Sequence, residues 1–131
     1  MTKRTAACTC GQLTAVVDGD PVRVSVCHCL ACQRRTGSVF GAQARFPRES
    51  VTTTGMSTTY VRAADSGNQV IFHFCPQCGS TVYYFLEGQE QIFAIPVGAF
   101  ADPDFPPPAR SVYERRMHAW VQMPLDGEHI A

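Results

Sequence analysis

Seven cysteines stand in three tight groups: Cys8-Thr9-Cys10, Cys27-His28-Cys29-Leu30-Ala31-Cys32 and Cys75-Pro76-Gln77-Cys78-Gly79. Cysteines this close together direct thiolates toward a common point, whereas a disulfide demands a Cα separation and a torsion that such short loops meet only under strain. An odd number cannot pair off in any case. The spacing therefore suits zinc better than disulfides, and a division into four and three uses every cysteine. Cys75-x-x-Cys78-Gly79 is a zinc-knuckle signature that needs two more ligands, and Cys8 and Cys10 are its natural partners in a closed, structural tetrathiolate. Cys27, Cys29 and Cys32 are then an incomplete set, capping one face of a second zinc and leaving the opposite face free for chemistry.

The electrostatics of such a trio limit what it does. Zinc held by three thiolates is net anionic and a weaker Lewis acid than zinc held by three histidines, so activating water is not its best use. Binding a substrate thiol suits it better: a free thiol, with a pKa of about 8.5, is only a few per cent thiolate at neutral pH, and a metal removes that shortage. The added negative charge calls for cations, and Arg34 and Arg35 stand just beyond the third cysteine, after Gln33, placed to neutralise the site and to hold substrate carboxylates. His28, between two coordinating cysteines, points away from the metal, toward a supporting role behind the ligands or toward substrate. The blander alternatives are a second structural zinc completed by His28, His73, His118 or an acidic residue, and a set of reduced thiols without metal.

The rest of the chain must position these groups. With 131 residues it is one domain, 1–131 with a core at about 5–125, and its 11 basic and 11 acidic side chains give no overall field for nucleic acid or a membrane surface. No apolar run is long enough to cross a bilayer, and thiols that stay reduced point to the cytoplasm. Apolar alternation over Leu13/Ala15/Val17 and Val22/Val24/Val26, broken by Asp18-Gly19-Asp20-Pro21, predicts a hairpin that delivers Cys27 at its end. Further strands are expected at 39–46, 57–63, 69–74, 81–86, 91–95 and 111–113, with an early strand beside 69–74, and one short helix over 30–36, ended by Gly37. The proline-rich stretch 102–108 forbids helix and predicts that the tail from Ala109 packs separately. Trp120, Phe40, Phe72, Phe85, Phe93 and Tyr84 read as core and sheet faces, while Tyr113, Glu114 and His118 are placed to relay protons if the tail folds over the open zinc face.

Taken in order, Cys8-x-Cys10-Gly11, Cys27-His28-Cys29-x-x-Cys32-x-Arg34-x-Thr36-Gly37, Phe74-Cys75-x-x-Cys78-Gly79-Ser80 and Trp120 resemble the glutathione-dependent formaldehyde-activating enzyme family, also called the centromere protein V/Gfa domain. The resemblance runs from about Thr5 to about Leu125. It implies a mainly β, Mss4-like complex of coiled antiparallel sheets with zinc-binding knuckles and one short helix. It also implies a structural zinc on Cys8, Cys10, Cys75 and Cys78, a catalytic-type zinc on Cys27, Cys29 and Cys32, and addition of glutathione to formaldehyde to give S-hydroxymethylglutathione. Leu30 stands where a small polar residue is frequent in this family, and Ala119 replaces the proline common before the tryptophan.

The leading expectation is thus a cytoplasmic, zinc-dependent carbon–sulfur lyase that takes a thiol cosubstrate, glutathione by resemblance, and formaldehyde or another small aldehyde, its second zinc being labile. A non-catalytic, zinc-stabilised binding or chaperone-like module of the same fold is the alternative, and redox sensing by the 27–32 thiolates is a third reading. No nucleic-acid or membrane partner is expected, and the sequence leaves the oligomeric state open.

Overall fold

The computed structural model describes residues 2–131. Its strands are β1 (Lys3–Ala7), β2 (Thr14–Asp18), β3 (Arg23–Cys27), β4 (Gly41–Pro47), β5 (Val51–Thr54), β6 (Thr58–Ala63), β7 (Gln69–Phe74), β8 (Thr81–Leu86), β9 (Ile92–Pro96), β10 (Arg110–Val112) and β11 (Glu128–His129). One α-helix, α1 (Leu30–Thr36), lies between β3 and β4, and short 3-10 turns punctuate the remainder. Three strands form a small antiparallel sheet in the order β1-β2-β5, and eight form a large one in the order β11-β10-β3-β4-β9-β8-β7-β6. The mainly β architecture with one short helix is as anticipated.

The core lies between the two sheets. Alternation along β2 turns Ala15 and Val17 inward, where they meet Val51 of β5 and, from the large sheet, Phe46, Val82, Phe93 and Ile95. Phe100 packs on Phe46 at 6.1 Å between ring centroids and stacks on Phe105 at 4.7 Å, closing one side of this core. Burying an aromatic of this size stabilises the fold by about 2–3 kcal/mol. A second, smaller cluster of Val70, Phe72, Tyr84 and Ala94 belongs to β7, β8 and β9 and underlies α1, whose Arg35 guanidinium sits over Phe72 and Tyr84 at 5.5 and 5.1 Å.

Three sequence expectations are corrected. β2 and β3 do not pair with each other: β2 lies between β1 and β5, and β3 between β4 and β10, so Asp18-Gly19-Asp20-Pro21 carries the chain from one sheet to the other. Alternation identified both strands but is silent about partners, because either side of a strand offers equivalent backbone groups. The early strand likewise pairs with β2, not with β7. The tail from Ala109 does not pack apart: β10 runs parallel to β3, with Val112 opposite Cys27, and β11 adds itself parallel to β10. The prolines end one segment without preventing the next from joining the sheet.

Candidate metal centre and its surroundings

The tetrad is assembled from two knuckles far apart in sequence. The turn after β1 carries Cys8 and Cys10, and the β7–β8 connection carries Cys75 and Cys78; the four sulfurs lie within 4.8 Å of one another. Cys10 Sγ is 3.6 Å from Cys8 Sγ and 3.7 Å from Cys75 Sγ. Tetrahedral zinc with Zn–S bonds of about 2.3 Å requires sulfurs about 3.8 Å apart, so the set fits the ion. Donors surround it. The Leu13 amide approaches Cys8 Sγ at 3.3 Å, Gln12 Nε2 donates to Cys75 Sγ at 3.0 Å, and the Gln77 and Cys78 amides aim at the same sulfur at 3.4 and 3.5 Å. Gly79, at φ 82°, takes the left-handed turn that lets its amide reach back to the Cys75 carbonyl. The Ser80 and Cys10 amides draw the Cys78 thiol down to about 5, so it enters the site already ionised.

Gln12 is a residue that sequence reading missed. Besides reaching Cys75 it donates to the Met56 carbonyl and accepts from the Met56 amide, at 2.7 and 2.9 Å, fastening the β5–β6 connection to the tetrad. Ser80 Oγ similarly meets Thr9 Oγ1 at 2.9 Å and ties one knuckle to the other. A glutamine after Cys-Gly carries no local signal of such a role.

The trio is local. Cys27 ends β3, Cys29 is the N-cap of α1 and accepts from the Cys32 amide at 3.3 Å, and Cys32 lies in the first turn; their sulfurs also fall within 4.8 Å of one another. Gly41, opposite Cys27 in the ladder, leaves room for this junction, since a Cβ there would stand 3.1 Å from Arg35 Nη2 and 3.4 Å from Cys32 Cβ. Among the described residues no histidine or carboxylate joins the three sulfurs. His73 bonds Ser57 and stacks on Tyr83, and His118 meets Gln33 at 3.0 Å. Neither histidine is grouped with the three sulfurs. Cys27 and Cys32 are buried and Cys29 is half-buried, so it is Cys29 that brings the trio nearest to solvent.

Charge within the trio is unevenly held. A hydrogen bond from Cys27 draws Cys32 down to about 5 against its burial, helped by Cys29 and the Arg35 guanidinium, while Cys27 is pushed well up by the same bond and by burial. The donor set is therefore partly ionised at neutral pH, stabilised by Arg35, and fits zinc; closing it on the ion releases the remaining protons. Arg34 is exposed and does not share this role.

His28 is fully buried, with Nε2 2.9 Å from Ser111 Oγ and its ring edge-on to Phe40 at 5.7 Å. A side chain with no accessible surface does not touch substrate, which corrects the substrate-facing option and leaves the supporting one: it pins the loop between Cys27 and Cys29 to β10. Burial pushes its imidazole below the usual range, so it stays neutral there. Gln33 does the same for α1, donating to the His28 and Arg116 carbonyls at 2.9 and 3.2 Å. Trp120 is 73% exposed, against the expectation of a core residue, and stands edge-on to His118 at 6.1 Å. Tyr113 follows Val112, the partner of Cys27, in the left-handed conformation at φ 57°, uncommon for a residue with a Cβ and found at functional sites. Tyr113 is exposed; the desolvation it does feel, then Asp65 and the three trio sulfurs, push its phenol upward, so it is protonated at neutral pH.

Residues 3–122 match the family described as glutathione-dependent formaldehyde-activating enzyme. The chain belongs to this family. No curated protein matches it closely enough to be counted a relative. Among solved structures it is similar to a Rhodobacter sphaeroides protein known from its crystal structure, at 18% identity and a TM-score of 0.59, over 76% of this chain and 91% of that one, a likeness of fold alone. The family relation covers both cysteine clusters and the tail through Trp120. Among the described residues, no helix is long and apolar enough to cross a membrane.

Proposed function

We propose that this protein is a zinc-dependent carbon–sulfur lyase that adds a thiol, glutathione, to a small aldehyde, formaldehyde in the simplest case, in a reducing, cytoplasmic setting. The observation that carries the reading is the convergence of Cys27, Cys29 and Cys32 with no fourth ligand among the described residues. Cys27, Cys29 and Cys32 would hold zinc, which would favour the thiolate form of a substrate thiol. Zinc on Cys8, Cys10, Cys75 and Cys78 holds the fold.

The chain's own groups account for the remainder. Arg35, beside Cys32, offsets the accumulated negative charge and orients a carboxylate of the thiol. The thiol sulfur attacks the carbonyl carbon, a C–S bond forms, and the C=O π electrons move to oxygen. The Tyr113 phenol protonates that oxygen at Oη, and the proton lost by the thiol returns to Tyr113 through solvent, so the product is a hydroxyalkyl thioether with nothing oxidised or reduced. Support for this assignment comes from the strained backbone of Tyr113, its place next to the partner of Cys27 and its protonated state.

Exchange NMR of formaldehyde with glutathione tests the proposal. Native zinc-loaded protein accelerates exchange, and Cys32→Ser protein does not; equal rates for the two would end the lyase reading.

A further inference from the structure

A cleft of about 710 Å³ opens between α1 and the β6–β7–β8 face of the large sheet. Leu30, Tyr60, Phe72 and Phe74 give it apolar walls, and Arg34, Arg35 and Arg62 place three guanidinium groups around it. Among the described residues none of these arginines is paired with a carboxylate. Two of them are instead held by aromatic faces: Arg62 lies 5.4 Å from the Phe72 centroid, and Arg35 stacks on Phe72 and Tyr84 while turning toward Cys32. The cleft adjoins the trio through Arg35, and through Leu30 and Ala31, which separate Cys29 from Cys32 in the chain, while none of the three cysteines itself lines it.

Formaldehyde is about the size of one water molecule, whose share of liquid volume is about 30 Å³, and makes no use of such a space. Glutathione fits these walls poorly, because its peptide groups would face Leu30, Phe72 and Phe74 without hydrogen-bonding partners. The cavity on the other side of Arg35, about 800 Å³, suits it better, since Thr5, Thr9, Thr36 and Ser80 line it with hydroxyls. Unpaired guanidinium groups over an apolar, aromatic floor are complementary to an anion carried on an apolar body. We propose that the cleft binds the carbonyl substrate by such an end, so that the preferred aldehyde is an aryl- or alkyl-carboxylate and formaldehyde is only its smallest analogue. The assignment of this ligand as the aldehyde rests on the thiol–aldehyde reading above; the ligand class rests on the cleft alone.

Amide NMR titration of the full-length, zinc-loaded protein tests it, with 3-phenylpropanoate and its neutral counterpart 3-phenylpropanamide as probes. The carboxylate is expected to perturb Leu30, Tyr60, Phe72 and Thr81 and to bind at least tenfold more tightly than the amide. Arg62→Gln is expected to weaken the carboxylate about tenfold and leave the amide unchanged, whereas Tyr60→Ser, at an exposed position, weakens both alike. Equal affinity of the two probes, shifts confined to another face, or displacement of the carboxylate by glutathione would each overturn the proposal. Failure here with normal formaldehyde–glutathione exchange removes the cleft assignment only; tight carboxylate binding without exchange removes the lyase reading and leaves the ligand class standing.

Discussion

The two cysteine clusters offer the same ligand atom and are built in opposite ways. The tetrad joins residues from the start of the chain to residues beyond its middle, so closing it fixes the small sheet against the large one. Its sulfurs are wrapped by amide donors and by Gln12. The trio comes from six consecutive residues at one strand–helix junction, and its main cationic neighbour is a side chain, Arg35. A site that closes a long loop and satisfies its sulfurs with backbone is spent on folding. A site made locally constrains little of the chain, and its energetics are set by side chains that a substrate can reach. The difference is what the proposed split between stability and chemistry rests on.

The sharpest way to break this comparison is to remove one sulfur from each cluster. Cys8→Ser should abolish cooperative folding, because metal binding at a closed site is part of the folding free energy, on the order of 10 kcal/mol for the site as a whole. Cys32→Ser should leave circular dichroism and the tetrad's zinc intact while exchange falls to the uncatalysed rate. Elemental analysis and thermal unfolding of the two proteins decide it. If Cys32→Ser unfolds and Cys8→Ser does not, the roles assigned to the clusters are reversed.

The grouping of the cysteines into four and three was legible in the sequence, because cysteine spacing encodes ligand geometry directly. Strands β7 and β8 and helix α1 were legible to the residue for a related reason: each is bounded by a cysteine group, a glycine or a turn sequence that leaves few alternatives. What eluded sequence reasoning is what depends on partners. The expected β2–β3 hairpin failed since alternation names a face and not a neighbour. β5, Val-Thr-Thr-Thr, and the two-residue β11 are too short to show a pattern and declare themselves only once a sheet edge is present. Gln12, Gln33 and Ser111 work through bonds to residues 44 to 85 positions away, which no local pattern records.

Tyr113 offers a second and smaller test, now within the trio's own surroundings. Tyr113→Phe keeps the ring and removes the proton, so the exchange rate should drop about 100-fold with zinc content and unfolding temperature unchanged. An unchanged rate would take the phenol out of the reaction and leave its left-handed backbone as a feature of the β10 turn alone. Smaller again is the support behind the trio. Ser111→Ala leaves the buried His28 Nε2 without its partner, and His28 Nδ1 already has none, so stability should fall by about 1–3 kcal/mol in urea titrations of the zinc-loaded protein. A loss below about 0.5 kcal/mol would mean that water or a rearranged ring serves His28 as well as serine does.

The smallest effect concerns the strand that seals the tail. His129 Nδ1 lies 2.7 Å from Glu114 Oε2, an ion pair beside the paired strands β10 and β11. Glu114 raises the His129 pKa above 6.5, and His129 lowers that of Glu114 below 4.5. The histidine's contribution is complete below its unfolded value and fades as pH rises through the folded one. The carboxylate's is complete above its unfolded value and fades as pH falls through the folded one. The pair therefore holds the tail best between about pH 4.5 and 6.5, and both side chains are exposed enough for solvent to screen much of it. Glu114→Gln should return the His129 ring titration toward 6.5 and speed amide exchange at Ile130 between about pH 4.5 and 6.5, with no change at Cys75 or Ser80. Faster exchange at the knuckles as well would mean that tail and tetrad open together, and the division between a fold-holding half and a chemical half would not extend to their dynamics.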